Sequence, residues 1–89
     1  MAHLLMQQEV ADYEKWRAVF NSLEGLRRSV GARSEQIFRG ADNPNAVTLL
    51  ITWDHLDNAR AWMGDPRLRA AMKDAGVIGQ PAITYLDES

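Results

Sequence analysis

Apolar and polar residues alternate through the first ten positions. Ala2, Leu4, Met6 and Val10 share one parity, and His3, Leu5, Gln7 and Glu9 share the other. A period of two is the signature of a strand over residues 2–10. From Asp12 onward the period changes. Trp16, Val19, Phe20, Leu23, Leu26 and Val30 recur at spacings of three and four, which places them in one stripe of a helix running to about Val30. Asp12 is placed to cap that helix, and Glu14 lies in its first turn, where the helix dipole favours negative charge. Arg27 and Arg28 fall near its end, and Gly31 can adopt the left-handed conformation that closes a helix.

Residues 32–40 read as a second strand ending in Ile37-Phe38-Arg39-Gly40, and Asp42-Asn43-Pro44-Asn45 is a dense turn signal. Residues 46–53 form a third strand, with Val47, Leu49, Ile51 and Trp53 on one face and Thr48, Leu50 and Thr52 on the other. The short turn makes these two strands an antiparallel hairpin. Asp54 is placed to cap a second helix, with Asp57 three residues on in a capping-box-like position. Leu56, Ala59, Trp62 and Met63 form its apolar side. Asp65-Pro66 restarts the helix, because proline fits a first helical position, and Leu68, Ala71, Met72 and Ala75 continue the stripe to Gly76. Pro81 to Leu86 is the last strand. The order β-α-β-β-α-β is the ferredoxin-like motif of the α+β class: a four-stranded antiparallel sheet with the helices on one face, in a single domain over residues 1–89. Phe20 and Leu49 are expected to be buried between the first helix and the sheet.

The other face of the sheet carries His3, Leu5, Gln7, Thr48, Leu50 and Thr52 on its first and third strands. That mixture is too apolar for water and too polar for a dry core. A second sheet packed over it, with a partly polar space between, is the expected arrangement. A domain of 89 residues has little room to enclose a ligand by itself, so a homodimer is expected.

Composition narrows the chemistry. Ten Lys and Arg against twelve Asp and Glu give a formal net charge of −2, which argues against a nucleic-acid partner. The chain has no cysteine, so disulfides, thiolate zinc sites and cysteine nucleophiles are excluded. Freedom from disulfides suits a reducing, cytoplasmic compartment. No apolar run approaches the ~20 residues of a membrane span, and Met1-Ala2-His3-Leu4-Leu5-Met6 lacks the basic flank and long apolar core of a signal peptide. No membrane partner is expected. The six glycines form no phosphate loop, and Ser22, Ser29 and Ser34 lack a nucleophile-elbow context.

Several segments together resemble a known group. Asp42-Asn43-Pro44-Asn45, the strand end Thr52-Trp53-Asp54, Ala59-Arg60-Ala61-Trp62, Asp65-Pro66-Arg67-Leu68-Arg69 and the closing Ala75-Gly76-Val77-Ile78-Gly79-Gln80-Pro81 are similar to the dimeric α+β barrel proteins. Within these the match is to the antibiotic-biosynthesis-monooxygenase-like and cyclase-like small proteins. The resemblance covers nearly the whole chain. Its signals are mostly turn and cap residues, which speak for fold more than for chemistry. It implies two sheets packed face to face around a cavity, with the helices outside. It also implies a hydrophobic, aromatic or polyketide-like ligand, handled by a cofactor-free monooxygenase, a cyclase or a non-catalytic binding protein.

His3 is the candidate catalytic base: a histidine exchanges a proton near neutral pH, and His3-Leu4-Leu5 resembles the first strand of the plant polyketide cyclases of this fold. Gln7, and also Thr52 and Tyr85, are candidate hydrogen-bond donors to an anionic intermediate, with Leu5 and Leu50 as apolar lining. One of Gln7 and Gln8 must point inward, and parity with His3 favours Gln7. Trp62 lies where some monooxygenase-like members carry a tryptophan, although its spacing fits the core stripe and core packing is the simpler reading. The face of Tyr85 is open. Arg33, Glu35 and Arg39 alternate as a solvated or interfacial charge ladder. The haem-degrading members would place a histidine late in the second helix, where this chain has Met72 and Lys73, so haem is not expected. His3 and His55 are the only histidines and no carboxylate cluster accompanies them, so no metal and no cofactor are expected.

Overall fold

The computed structural model describes all 89 residues. β1 (Ala2–Val10), β2 (Ala32–Arg39), β3 (Ala46–Trp53) and β4 (Val77–Asp87) form one antiparallel sheet in the order β2-β3-β1-β4. Four helices, α1 (Tyr13–Ser22), α2 (Glu24–Ser29), α3 (Leu56–Met63) and α4 (Pro66–Asp74), connect them. This is the ferredoxin-like α+β architecture, with β1 and β3 at its centre. No helix is long and apolar enough to cross a membrane.

Alternation decides what each face buries. Ala2, Leu4, Met6 and Val10 of β1 and Val47, Leu49, Ile51 and Trp53 of β3 are all buried. They join Trp16, Ala59, Trp62, Leu68 and Ala75 from the helices in one core cluster. Fully burying one such large apolar side chain contributes ~1.5–3 kcal/mol, so this face supplies most of the hydrophobic stabilisation. Leu49 is sealed as expected, whereas Phe20 is only half-buried, stacked on Trp16 with ring centroids 5.1 Å apart.

The single helix expected between Asp12 and Val30 is two. Its start is as the sequence suggests, with the Asp12 side chain accepting from the Glu14 and Lys15 amides. At Leu23 the backbone reaches φ −93°, ψ 1° and its N–H bonds Phe20 O at 3.2 Å, a tightened turn that interrupts the α pattern. The Ser22 hydroxyl donates to Val19 O at 2.6 Å and competes for a helix carbonyl there. Gly31 then takes φ 109°, and an added Cβ there would lie 2.5 Å from Asn58 Nδ2, so only glycine fits.

Two bulges set the edge strands. Between Ala32 and Ser34 the β2 register shifts past β3, leaving Arg33 as the extra residue. Glu35 and Ile37 thereby pair with Ile51 and Leu49 on the helix-covered face, while Ser34, Gln36 and Phe38 pair with Thr52, Leu50 and Thr48 on the open one. The expected charge ladder along β2 is therefore dispersed. Arg33 pairs with Asp54, Glu35 with Arg27 and Arg28, and Arg39 lies 3.8 Å over the Tyr13 ring. Asp54, occupied by Arg33, does not cap α3, whose N-cap His55 makes no side-chain cap bond. Asp65 caps α4 with Pro66 behind it, as expected. β4 starts at Val77, four residues before the sequence suggests. Gly79 (φ 68°), Gln80 and Pro81 bulge opposite Gln8 inside the strand, and their turn-like composition reads as a loop.

Candidate functional site

Between the helix layer and the sheet lies an apolar cleft of about 40 Å³. Its sheet side is Met6, Leu49 and Ile51. One wall is Trp16 and Phe20, four residues apart on α1, and the opposite wall is Trp62 of α3 with Leu68 and Met72 of α4. As it stands the cleft holds only a few water molecules. An aromatic ligand therefore enters only if the cleft widens.

Two polar side chains break this apolar lining. Gln8 projects from β1 among Leu4, Met6 and Val10, with 9% of its surface exposed, and its Oε1 is buried with no hydrogen-bond partner. Leaving such a group unpaired costs ~1–3 kcal/mol. Rotating the amide by half a turn would present two N–H donors in place of the acceptor. The second is Arg27 of α2, 2% exposed. Its guanidinium lies 3.7 Å over the Phe20 ring, its Nη1 donates to Phe20 O at 2.7 Å and its Nε to Glu35 at 3.1 Å. Burial lowers the Arg27 pKa, partly offset by the hydrogen bond and charge of Glu35. Glu35 is shared: Arg28 also grips both its oxygens at 2.8 Å. Burial pushes the Glu35 carboxyl up, but the hydrogen bonds from Arg28 and Arg27 outweigh it and hold the group below the ordinary carboxylate range.

The residues singled out in the sequence divide between the two sides of the sheet. His3, Leu5, Gln7, Leu50 and Thr52 stand together on the open face, as their parity requires. There Thr52 Oγ1 lies 3.0 Å from His3 Nδ1, and His3 Nε2 lies 2.7 Å from Glu88 Oε1. The hydrogen bond from His3 and the nearby N-terminal charge lower the Glu88 pKa. Gln7 is exposed. Trp62 and Tyr85 lie behind the sheet. Trp62 is both core and cleft wall, tilted against Trp53 at 6.4 Å, while Tyr85 pairs with Leu4 and sits under the Arg60 guanidinium at 4.6 Å. The sheet therefore separates His3 from the cleft. Gln8 and Arg27 were not among the residues singled out. Each carries one sequence signal: Gln8 is the lone polar residue in the apolar parity of β1, and Arg27 falls four residues after Leu23 inside the apolar stripe.

No family model and no curated protein matches this sequence. Solved structures do match its fold. A structure from Bordetella bronchiseptica, bearing the provisional name antibiotic biosynthesis monooxygenase, superposes with a TM-score of 0.80 over 99% of this chain and 96% of its own, at 14% identity. A similarly named protein from Caulobacter crescentus CB15 gives 0.78 at 20% identity, covering 99% and 89%. SnoaB, a cofactor-independent oxygenase from Streptomyces nogalater, gives 0.75 at 13% identity, covering 99% and 94%. The chain thus has the ferredoxin-like fold of antibiotic-biosynthesis-monooxygenase-like proteins.

Proposed function

We propose that the protein binds a planar, largely apolar small molecule in the cleft between α1, α3, α4 and the sheet. The observation that carries this reading is the Gln8 carboxamide, an unpaired polar group sealed in apolar surroundings. A ligand oxygen or N–H would supply the missing partner, while Trp16, Phe20 and Trp62 provide aromatic surface. The oxygenase named among the fold neighbours supports cofactor-free oxygenation of an aromatic substrate as the reaction class. The lining includes no carboxylate or imidazole, so the site's part would be to hold a substrate oxygen rather than to remove a proton with a side chain. The open face, with Leu5, Leu50, Phe38 and Leu86 beside His3 and Thr52, would be covered by a second copy, placing the Thr52–His3–Glu88 hydrogen bonds inside a homodimer.

The test is Gln8→Leu, probed with 1-naphthol by quenching of Trp16 and Trp62 fluorescence. The expected result is a Tm unchanged or raised, since an unpaired polar group is removed, with affinity about fivefold to tenfold weaker, the worth of one hydrogen bond. Naphthalene, which has no oxygen, should bind both proteins alike. Equal 1-naphthol affinity in both would overturn the reading, as would quenching by neither probe. Dioxygen uptake with an anthrone, absent in Gln8→Leu, would extend it to oxygenation.

A further inference from the structure

We infer that Arg27 makes the cleft selective for ligands that present an anionic oxygen, a phenolate, enolate or carboxylate, rather than their neutral counterparts. This rests on the cleft reading above and adds the charge state of what is bound. Arg27 and Arg28 share the single carboxylate of Glu35, at 3.1 Å and 2.8 Å. The other acid near them, Glu24, is 3.6 Å from Arg28 and 62% exposed, so water screens it. Arg28 is itself exposed, with 38% of its side chain open to solvent, so the buried part of the cluster is the Arg27–Glu35 pair. Arg27 lines the cleft and Glu35 does not, so the pair turns its positive end toward the cleft.

Geometry fixes that charge in place. Arg27 is held by three contacts, to Glu35, to the Phe20 carbonyl and to the Phe20 ring, so it is pre-positioned before any ligand arrives. Cation and amide share one apolar site, where water does not compete. The two produce opposite signs for a bound acid. Transfer of a phenol into an apolar cleft by itself disfavours the anion and raises its pKa, whereas a fixed cation nearby lowers it. The released proton goes to solvent, since the lining offers no base. The groups that face Arg27 are Glu35 of β2, Glu24 and Arg28 of α2, the Phe20 ring and carbonyl of α1, and, across the cleft, Gln8 of β1.

A chromogenic phenol reads the sign directly. 4-Nitro-1-naphthol changes its visible absorption on ionising, so its pKa is measurable in the bound state. With the wild-type protein the bound dye should ionise at a pH about 1 unit or more below the free dye. Arg27→Lys, which keeps the charge, should retain the direction, and Arg27→Met should reverse it. Glu35 keeps Arg28 in that variant and is not left unpaired. A wild-type bound dye that ionises at or above the free value would overturn the inference while leaving the cleft reading intact, and this measurement needs no variant to fold. An Arg27→Met protein that lowers the dye's pKa as wild type does would also overturn it. If neither this dye nor naphthalene quenches tryptophan fluorescence, the cleft reading falls and the inference with it.

Discussion

The two faces of the sheet are made by the same strands and differ in almost every physical respect. Behind the helices, alternate residues of β1 and β3 are sealed, Trp53 and Leu4 completely. In front, Leu5, Leu50 and Thr52 are half-buried and Phe38 is 53% exposed. Polar groups follow the same division. On the front, His3, Thr52 and Glu88 find one another at the surface. Behind, one charged cluster is engaged, and two groups, the Gln8 amide oxygen and the Trp53 indole N–H, are left without partners. The contrast teaches that the informative polar residue is the one placed where apolar residues belong, since there a missing partner has an energetic cost that water cannot relieve.

The largest way to test this contrast is Trp53→Ala. It removes a fully buried ring and should cost ~3–5 kcal/mol, read as a lower denaturant midpoint; a midpoint near wild type would show that the covered face is not the principal core. Glu35→Gln should come next, at about 3 kcal/mol, because it leaves Arg27 buried without its counter-charge. The pH dependence has a definite sign. The folded-state pKa of Glu35 is lowered, so its contribution is complete above the ordinary carboxylate range and is lost as pH falls through the folded value. Wild type should lose stability on acidification, and the Glu35→Gln protein should show a smaller loss over the same interval. Equal acid sensitivity of the two would remove Glu35 as the source.

Substitutions on the open face should behave differently. Leu50→Asp is expected to change monomer stability by about 1 kcal/mol or less, yet to convert a dimer to a ~10 kDa species in sedimentation, because a charge would enter the centre of the self-contact. Wild type sedimenting as a monomer at micromolar concentration would break the proposed pairing itself. His3→Ala should have the smallest effect, about 1 kcal/mol, the worth of hydrogen bonds made near the surface. A collapse of folding in that variant would mean that the front face carries the structure as much as the back.

Much of this was legible in the chain. The period of two in residues 2–10 and 46–53, the stripe from Trp16 to Val30, the caps at Asp12 and Asp65 and the turn at Asp42–Asn45 determined the strands, the helical regions and their order, because each signal is local and needs only neighbours in sequence; the break of the first helical region at Leu23 left no mark in that stripe. The same parity placed His3, Leu5, Leu50 and Thr52 on one face. What the tertiary structure alone decided was what lies against each face. Arg33 bulges and sends Glu35 to the covered side, and Gly79 to Pro81 bulge within β4 rather than ending before it. A bulge changes parity by a backbone detail that side-chain periodicity does not record. Gln8 lost to Gln7 in the sequence because parity says which residues share a face and not which face adjoins a cleft. That depends on how α1 and α4 stand apart over the sheet, a matter of packing between segments some fifty residues distant in the chain.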